Sequence, residues 1–208
     1  MGQIIYFVGS RKNNAYINIT PNYACTNDCV FCDKGLVQGS TGNNLYLEKE
    51  PSLDEVICEI NEKIDKRIVE EFVFCGVGEP LLYLDNVLKL TRYIKKEYDS
   101  SIRINTNGQA YLLYPKRNVV SELEKEGVDS LSISLNVTNE IDYDKLHRPK
   151  HHGAFEAVRN FIKDANASKI ATMVSFIDFP ELDKEDALVF TRKLGLNDNQ
   201  VRFRRFIS

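Results

Sequence analysis

The run Cys25-Thr-Asn-Asp-Cys29-Val-Phe31-Cys32 decides the fold and the chemistry expected of this chain. Spacings of three and then two intervening residues cannot place all three thiols on one face of a helix or a strand. The segment must therefore be a loop that wraps around a common centre. Thiolates hold iron–sulfur clusters, usually four of them. Because no fourth cysteine is nearby, one metal position stays open, which is typical of a chemical site rather than a structural one.

The cysteine spacing, with an aromatic residue directly before the third cysteine and an apolar strand before the first, resembles the signature of the radical S-adenosylmethionine (SAM) superfamily. The resemblance implies that Cys25, Cys29 and Cys32 bind a 4Fe–4S cluster. It implies that the open iron takes the amino and carboxylate groups of SAM. An electron from the cluster would then cleave SAM to methionine and a 5′-deoxyadenosyl radical, which abstracts hydrogen from a substrate. The alternative is a zinc- or cluster-binding structural or regulatory module without radical chemistry.

Length and composition indicate one globular domain. The chain has 208 residues, of which 43% are hydrophobic and 27% charged, and its net charge of −3 gives no indication of a nucleic-acid or membrane surface. No apolar run approaches the roughly 20 residues that span a bilayer. Five cysteines, an odd number with three clustered, do not suggest a disulfide framework. The expected location is a reducing cytoplasm.

Hydrophobic periodicity predicts six strands that alternate with five helices. The strands are expected at 15–20, 71–75, 101–105, 128–135, 170–176 and 201–206, and the helices at 53–64, 84–96, 118–126, 153–165 and 183–194. About 30 residues per unit is typical of βαβ crossovers and a parallel sheet. An open doubly wound sheet and a barrel fit this spacing equally well. The family resemblance favours a partial (βα)6 TIM-like barrel in a single domain.

The segments outside this pattern are predicted as an extension and loops. Residues 1–14 form an N-terminal extension, with an apolar strand at 4–8 and a turn at 9–14, so a hairpin is expected; residues 15–208 form the core domain. Residues 35–44 are rich in Gly, Ser and Asn and are predicted as a loop. In either architecture, functional residues gather where parallel strands end.

The segment Cys75-Gly76-Val77-Gly78-Glu79-Pro80 follows the second core strand. Glycines let a ligand approach the backbone, and Glu79 offers an acceptor to an amino group. The segment is similar to the Gly-Gly-Glu-Pro motif that receives the SAM amino group in the family, with Val77 in place of the first glycine of the pair. A β-turn with a surface glutamate is the alternative.

Two polar stretches follow the next strands, at Asn105-Thr-Asn107-Gly and Ser132-Ile-Ser134-Leu-Asn136. Alternation places Ser132, Ser134 and Asn136 on one face, as in a ligand channel or in a sheet with one solvated face. The resemblance implies SAM contacts by Phe31, Gly76, Gly78, Glu79, Asn107, Ser134 and Asn136.

Three further residues are candidate substrate contacts: Asn105, Arg148 and Arg204. Arg148 precedes a proline, and a guanidinium there can meet a carboxylate or phosphate in a bidentate contact. Arg204 lies in the last predicted strand, where a solvated edge is the alternative. Metal binding by the three clustered histidines, His147, His151 and His152, is a further alternative. Cys75 is expected to be a small buried residue.

A closer resemblance, from about Ala15 to the end, is to the small TatD-linked radical SAM proteins. It is carried by Phe74-Cys-Gly-Val-Gly-Glu-Pro80, Arg103-Ile-Asn-Thr-Asn-Gly108 and the arginine-rich closing strand. The implied partners are an external one-electron donor, flavodoxin- or ferredoxin-like, an unidentified substrate and a TatD-type hydrolase.

Overall fold

The structure is a computed structural model that describes residues 2–8, 13–34, 42–64 and 68–205. One sheet contains seven strands in sequence order: β1 (Ile5–Tyr6), β2 (Asn14–Ile17), β3 (Glu71–Phe74), β4 (Ser101–Thr106), β5 (Ser130–Ser134), β6 (Ala171–Asp178) and β7 (Val201–Arg205). Strands β2 to β7 pair in parallel, which confirms the predicted α/β class and is consistent with a partial TIM-like barrel.

The predicted N-terminal strand joins the same sheet. β1 pairs antiparallel with β2, with Ile5 opposite Ile17 and Tyr6 opposite Tyr16. Most of the predicted turn at 9–14 and of the predicted loop at 35–44 lies outside the described residues.

In the described part of the chain, seven α-helices connect the strands: α1 (Leu53–Ile64), α2 (Leu84–Glu97), α3 (Ala110–Leu113), α4 (Val119–Glu126), α5 (Glu140–His147), α6 (Ala154–Ala167) and α7 (Lys184–Lys193). The five predicted helices correspond to α1, α2, α4, α6 and α7. The short α3 and the polar α5 were not predicted. α5 buries only Tyr143 and His147, one turn apart, and therefore lacks the apolar stripe that periodicity detects.

Capping residues set the helix ends. At the start of α1, the Ser52 N–H donates to Glu55 Oε2 at 2.7 Å and the Glu55 N–H donates to Ser52 Oγ at 3.2 Å, a capping box. At the end of α4, Gly127 takes a left-handed φ of 96°, which glycine adopts without the clash of a Cβ.

Strand alternation separates the core from the concave face. Phe72, Phe74, Ile102 and Ile104 are fully buried against the helices. Neighbouring positions on β4 and β5 are polar and half-buried, such as Arg103, which donates to both Glu71 oxygens at 2.9 and 3.0 Å. Polar side chains therefore face the inside of the partial barrel.

In the described part of the chain, no helix is long and apolar enough to cross a membrane.

Candidate functional site

A cavity of about 330 Å³ opens where the parallel strands end. The cysteine loop forms one wall, and the segments after β3 and at the ends of β4 to β7 form the others. The lining includes most of the predicted site residues: Cys25, Cys29, Phe31, Cys32, Gly76, Gly78, Glu79, Asn105, Asn107, Ser134 and Arg204. Cys25 and Arg204, which are 179 positions apart in the sequence, thus line the same cavity.

The three cysteines carry free thiols on the cavity wall. Cys25 and Cys29 are half-buried, and Cys32 is exposed. Burial and then the nearby Glu79 carboxylate raise the pKa of Cys25 to about 11. Burial, followed by the neighbouring Cys25 and Cys32, raises the pKa of Cys29 to about 12. Burial also raises the pKa of Cys32. In the absence of a cation these thiols therefore keep their protons.

Hydrogen bonds hold the cysteine loop against the C-terminal end of α5 and the segment that follows it. The Asp28 N–H donates to the His147 carbonyl at 3.0 Å, and the Val30 N–H donates to the Leu146 carbonyl at 3.0 Å. Lys150 Nζ donates to the Cys25 carbonyl at 2.7 Å. The loop conformation is thus fixed by residues more than 100 positions away.

Glu79 is almost completely buried, at 2% exposure, and accepts three hydrogen bonds. Its Oε1 accepts from the Leu81 N–H at 3.0 Å and from the Thr106 hydroxyl at 2.8 Å, and its Oε2 accepts from the Asn107 N–H at 2.7 Å. Burial outweighs these donors and raises the pKa of Glu79 to about 7. The carboxyl group is therefore poised to change its ionisation near neutral pH.

The two glycines before Glu79 are required by close approach. A Cβ on Gly76 would lie 2.3 Å from Asn18 Oδ1, and a Cβ on Gly78 would lie 2.3 Å from Thr20 Cγ2. Gly78 also has a φ of +131°, a conformation that side chains disfavour. Small residues let this segment lie against the end of β2 and the loop after it.

Asn107 connects the end of β4 to the cysteine loop. Its Nδ2 donates to Thr26 Oγ1 at 2.7 Å and lies 3.5 Å from Cys25 Sγ. The Asn27 N–H lies 3.4 Å from the same sulfur. Asn107 therefore contacts the first cysteine directly.

One buried donor on the cavity lining has no partner. Asn27, 4% exposed, accepts at Oδ1 from Gln109 Nε2 at 2.5 Å, but its own Nδ2 makes no hydrogen bond among the described residues. An unpaired buried donor costs free energy unless a ligand satisfies it. The sulfur atoms of an iron–sulfur cluster are acceptors, so the donor set suits such a group. Among the described residues, no group of three His, Cys, Asp or Glu side chains is arranged to hold a single metal ion.

Two predicted site residues lie outside this lining. Asn136, with φ 64°, accepts at Oδ1 from the Ile177 N–H at 2.9 Å and turns its Nδ2 toward His147. Arg148 is exposed and ends α5 in a left-handed conformation with φ 46°. Neither side chain is brought to the cysteines.

His147 is the main functional candidate that the sequence did not single out by itself. It is 1% exposed, lines the cavity, and places Nδ1 3.3 Å from Cys29 Sγ. Burial lowers the pKa of His147 to about 4, so its imidazole is neutral at pH 7. His151 and His152 are exposed, so a metal site built from the three histidines is wrong. The sequence indicated this position only through the spacing of Tyr143 and His147, which are four residues apart and so lie on the same face of a helix.

Cys75 also lines the cavity, next to the glycine segment, rather than packing in the core. Cys58 is exposed on α1. A larger neighbouring cavity of about 610 Å³ lies between α5 and the start of α7, with Val30 and Asn136 on its wall. It contains none of the cysteines.

Comparisons with known proteins agree with this geometry. The model of the radical SAM superfamily matches residues 19–193. A probable dual-specificity RNA methyltransferase RlmN of Dictyoglomus thermophilum is 28% identical over 145 residues, which is 68% of this chain and 36% of the relative. The chain thus spans about a third of the length of that curated relative.

Solved structures share the fold. SuiB of Streptococcus suis bound to its precursor peptide SuiA has a TM-score of 0.66 and 16% identity, covering 90% of this chain and 38% of that chain. Native anSMEcpe with bound AdoMet has a TM-score of 0.64 and 13% identity, covering 93% and 51%.

Proposed function

Because the chain belongs to the radical SAM superfamily, we propose that it is an enzyme that binds a 4Fe–4S cluster and SAM in the cavity beside the cysteine loop. When bound, the cluster would supply the electron that cleaves SAM to methionine and a 5′-deoxyadenosyl radical. The observation that carries the proposal is that three thiols and the Glu79 carboxyl group open onto one cavity.

Cys25, Cys29 and Cys32 would bind the cluster. Their raised pKa values mean that the protons leave only when a cationic centre stabilises the thiolates. Asn27 supports the assignment, because it lines the same cavity and its backbone N–H lies 3.4 Å from Cys25 Sγ.

Glu79 would accept a hydrogen bond from the SAM amino group, and the backbone of Gly76 and Gly78 would border the methionine part. Asn107, Phe31 and Ser134 lie on the same lining and would complete the contacts. Asn136 would have to give up its bond from the Ile177 N–H to reach SAM. We therefore favour Ser134 over Asn136.

Hydrogen abstraction from an unidentified substrate is the proposed outcome. Asn105 and Arg204 line the cavity and are the proposed substrate contacts. Partial burial and the nearby Arg202 lower the pKa of Arg204. An anionic group on the substrate would therefore stabilise the positive charge of the Arg204 guanidinium. Arg148 would contact a substrate only from outside the cavity. The RNA methylation named for the relatives is not carried over, because the chain spans a third of such a relative.

Several finer assignments accompany this proposal. We propose membership of the TatD-linked group, a cytoplasmic location, and an external flavodoxin- or ferredoxin-like electron donor. Association with a TatD-type hydrolase, and the division into residues 1–14 and 15–208, also remain proposals.

The test is anaerobic reconstitution with iron and sulfide, followed by dithionite and SAM, with chromatography for 5′-deoxyadenosine. Cys29→Ala should abolish the product. Cys58→Ala, at an exposed thiol on α1, is the matched control and should retain it. A wild-type protein that binds zinc tightly and forms no cluster would instead favour the structural module.

A further inference from the structure

One edge of the His147 ring lies against Cys29, which the proposed function assigns to the cluster. Nδ1 lies 3.3 Å from Cys29 Sγ. The ring stacks on Tyr143, with centroids 4.3 Å apart and planes 16° apart, and Phe31 meets it edge-on at 5.4 Å. The two aromatic contacts hold the plane of the imidazole, in which Nδ1 lies toward the sulfur.

The opposite ring edge meets two groups of opposite character. Nε2 lies 3.1 Å from the Leu135 carbonyl, an acceptor, and 3.4 Å from Asn136 Nδ2, a donor. The Asn136 amide is oriented by the Ile177 N–H, which donates to its Oδ1 at 2.9 Å. Nε2 can therefore carry the ring hydrogen and donate to Leu135, or lack it and accept from Asn136.

The protonation state of Cys29 determines which of these two tautomers of His147 is favoured. A Cys29 thiol can donate its own hydrogen to Nδ1, which leaves the ring hydrogen on Nε2 facing Leu135. A metal-bound thiolate has no hydrogen and is only an acceptor. A bare Nδ1 would place its lone pair against a negatively charged sulfur, whereas a bare Nε2 meets a neutral carbonyl and the Asn136 N–H donor, so the ring hydrogen is favoured on Nδ1.

We propose that His147 donates a hydrogen bond from Nδ1 to the Cys29 thiolate when Cys29 binds the cluster, and that Asn136 stabilises this tautomer from the other ring edge. The inference rests on the proposed function. His147 is a positioning residue, since it acts through Cys29 and is assigned no contact with SAM.

Such a bond has a consequence for reduction. Reduction adds one electron and thus one negative charge to the cluster and its thiolates, and a donor to a ligand sulfur stabilises the more negative state. No proton moves in this step, because His147 keeps its hydrogen throughout. Loss of the donor should therefore make the cluster harder to reduce.

Redox titration of the reconstituted protein, followed by electron paramagnetic resonance, tests the proposal without an activity assay. His147→Phe keeps an aromatic ring between Tyr143 and Phe31 and removes the donor. We expect at least a tenfold smaller equilibrium constant for reduction, about 59 mV for a one-electron couple. His147→Asn places an amide donor near the Nδ1 position and should recover most of the lost equilibrium constant for reduction. His151→Phe, at an exposed histidine, should match wild type.

Asn136→Gly provides a second variant in case His147→Phe cannot hold a cluster. Glycine accepts the left-handed backbone at this position and removes the amide, so the Leu135 carbonyl draws the hydrogen to Nε2. The potential should fall in the same direction, and the double variant should show no shift beyond His147→Phe alone.

Unchanged potentials in His147→Phe and Asn136→Gly, with full cluster content, would overturn this inference and leave the proposed function intact. Failure of wild type to form a cluster would instead count against the proposed function.

Discussion

The backbone N–H of Asn107 donates to Glu79 Oε2 at 2.7 Å, and this bond ties the end of β4 to the segment after β3. Asn107 also reaches Thr26 and Cys25 through its side chain. One asparagine thus joins the proposed SAM-binding carboxyl group to the cysteine loop, and the cavity walls are set relative to one another by buried hydrogen bonds.

Thr106→Val should destabilise the protein by about 1–3 kcal/mol, because the buried Glu79 carboxyl group loses the hydroxyl donor at 2.8 Å and the Gly108 N–H loses its acceptor at 3.0 Å. Urea denaturation measures the free energy of unfolding. Thr91→Val is the matched control. The Thr91 hydroxyl is buried without a partner among the described residues, so valine there should be neutral or stabilising. Equal losses in both variants would contradict the role given to the Thr106 hydroxyl.

The Glu79 carboxyl group should make the stability of the metal-free protein fall with rising pH. Burial raises its folded pKa from 4.5 to about 7. A raised folded pKa contributes stability that is fully present below the unfolded value of 4.5 and is lost as the pH rises through 7. The difference in the free energy of unfolding between wild type and Glu79→Gln should therefore change by up to roughly 3 kcal/mol from pH 4 to 8. Urea unfolding at several pH values measures it, and a constant difference would count against the raised pKa.

Gly78→Ala should cost about 2–4 kcal/mol in stability, since the new Cβ would lie 2.3 Å from Thr20 Cγ2 at a φ of +131°. Gly153→Ala is the matched control. Gly153 also has a positive φ, +71°, but a Cβ there meets nothing within 4 Å, so the cost should be about 1 kcal/mol. Thermal and urea unfolding of both variants measure the two losses, and equal losses would contradict the close approach to Thr20.

Lys150→Met should loosen the cysteine loop, because the side chain loses its 2.7 Å bond to the Cys25 carbonyl. We expect iron to leave the reconstituted protein several-fold faster in the presence of a chelator. The decay of cluster absorbance gives the rate. Lys145→Met removes a charge from an exposed position on α5 and should leave the rate at the wild-type value.

Local patterns carried most of the fold prediction. Six core strands and five helices were recognised because their apolar residues recur at periods of two and 3.6. α5 was not predicted, because only Tyr143 and His147 are buried in it and its sequence therefore resembles a polar loop. The cavity lining was largely predicted, since Gly76, Glu79, Asn107 and Ser134 all follow or end parallel strands.

The sequence by itself determined the three thiols, their short spacing and the polar residues at strand ends, because these are local patterns whose meaning does not depend on distant neighbours. Only the tertiary structure decided that His147 lies against Cys29, 118 positions away, while Asn136 turns from the cavity toward that histidine. Neither contact produces a periodic pattern of apolar residues in the sequence. Both exist because the C-terminal end of α5 packs against the cysteine loop, and packing between distant segments depends on the whole sheet.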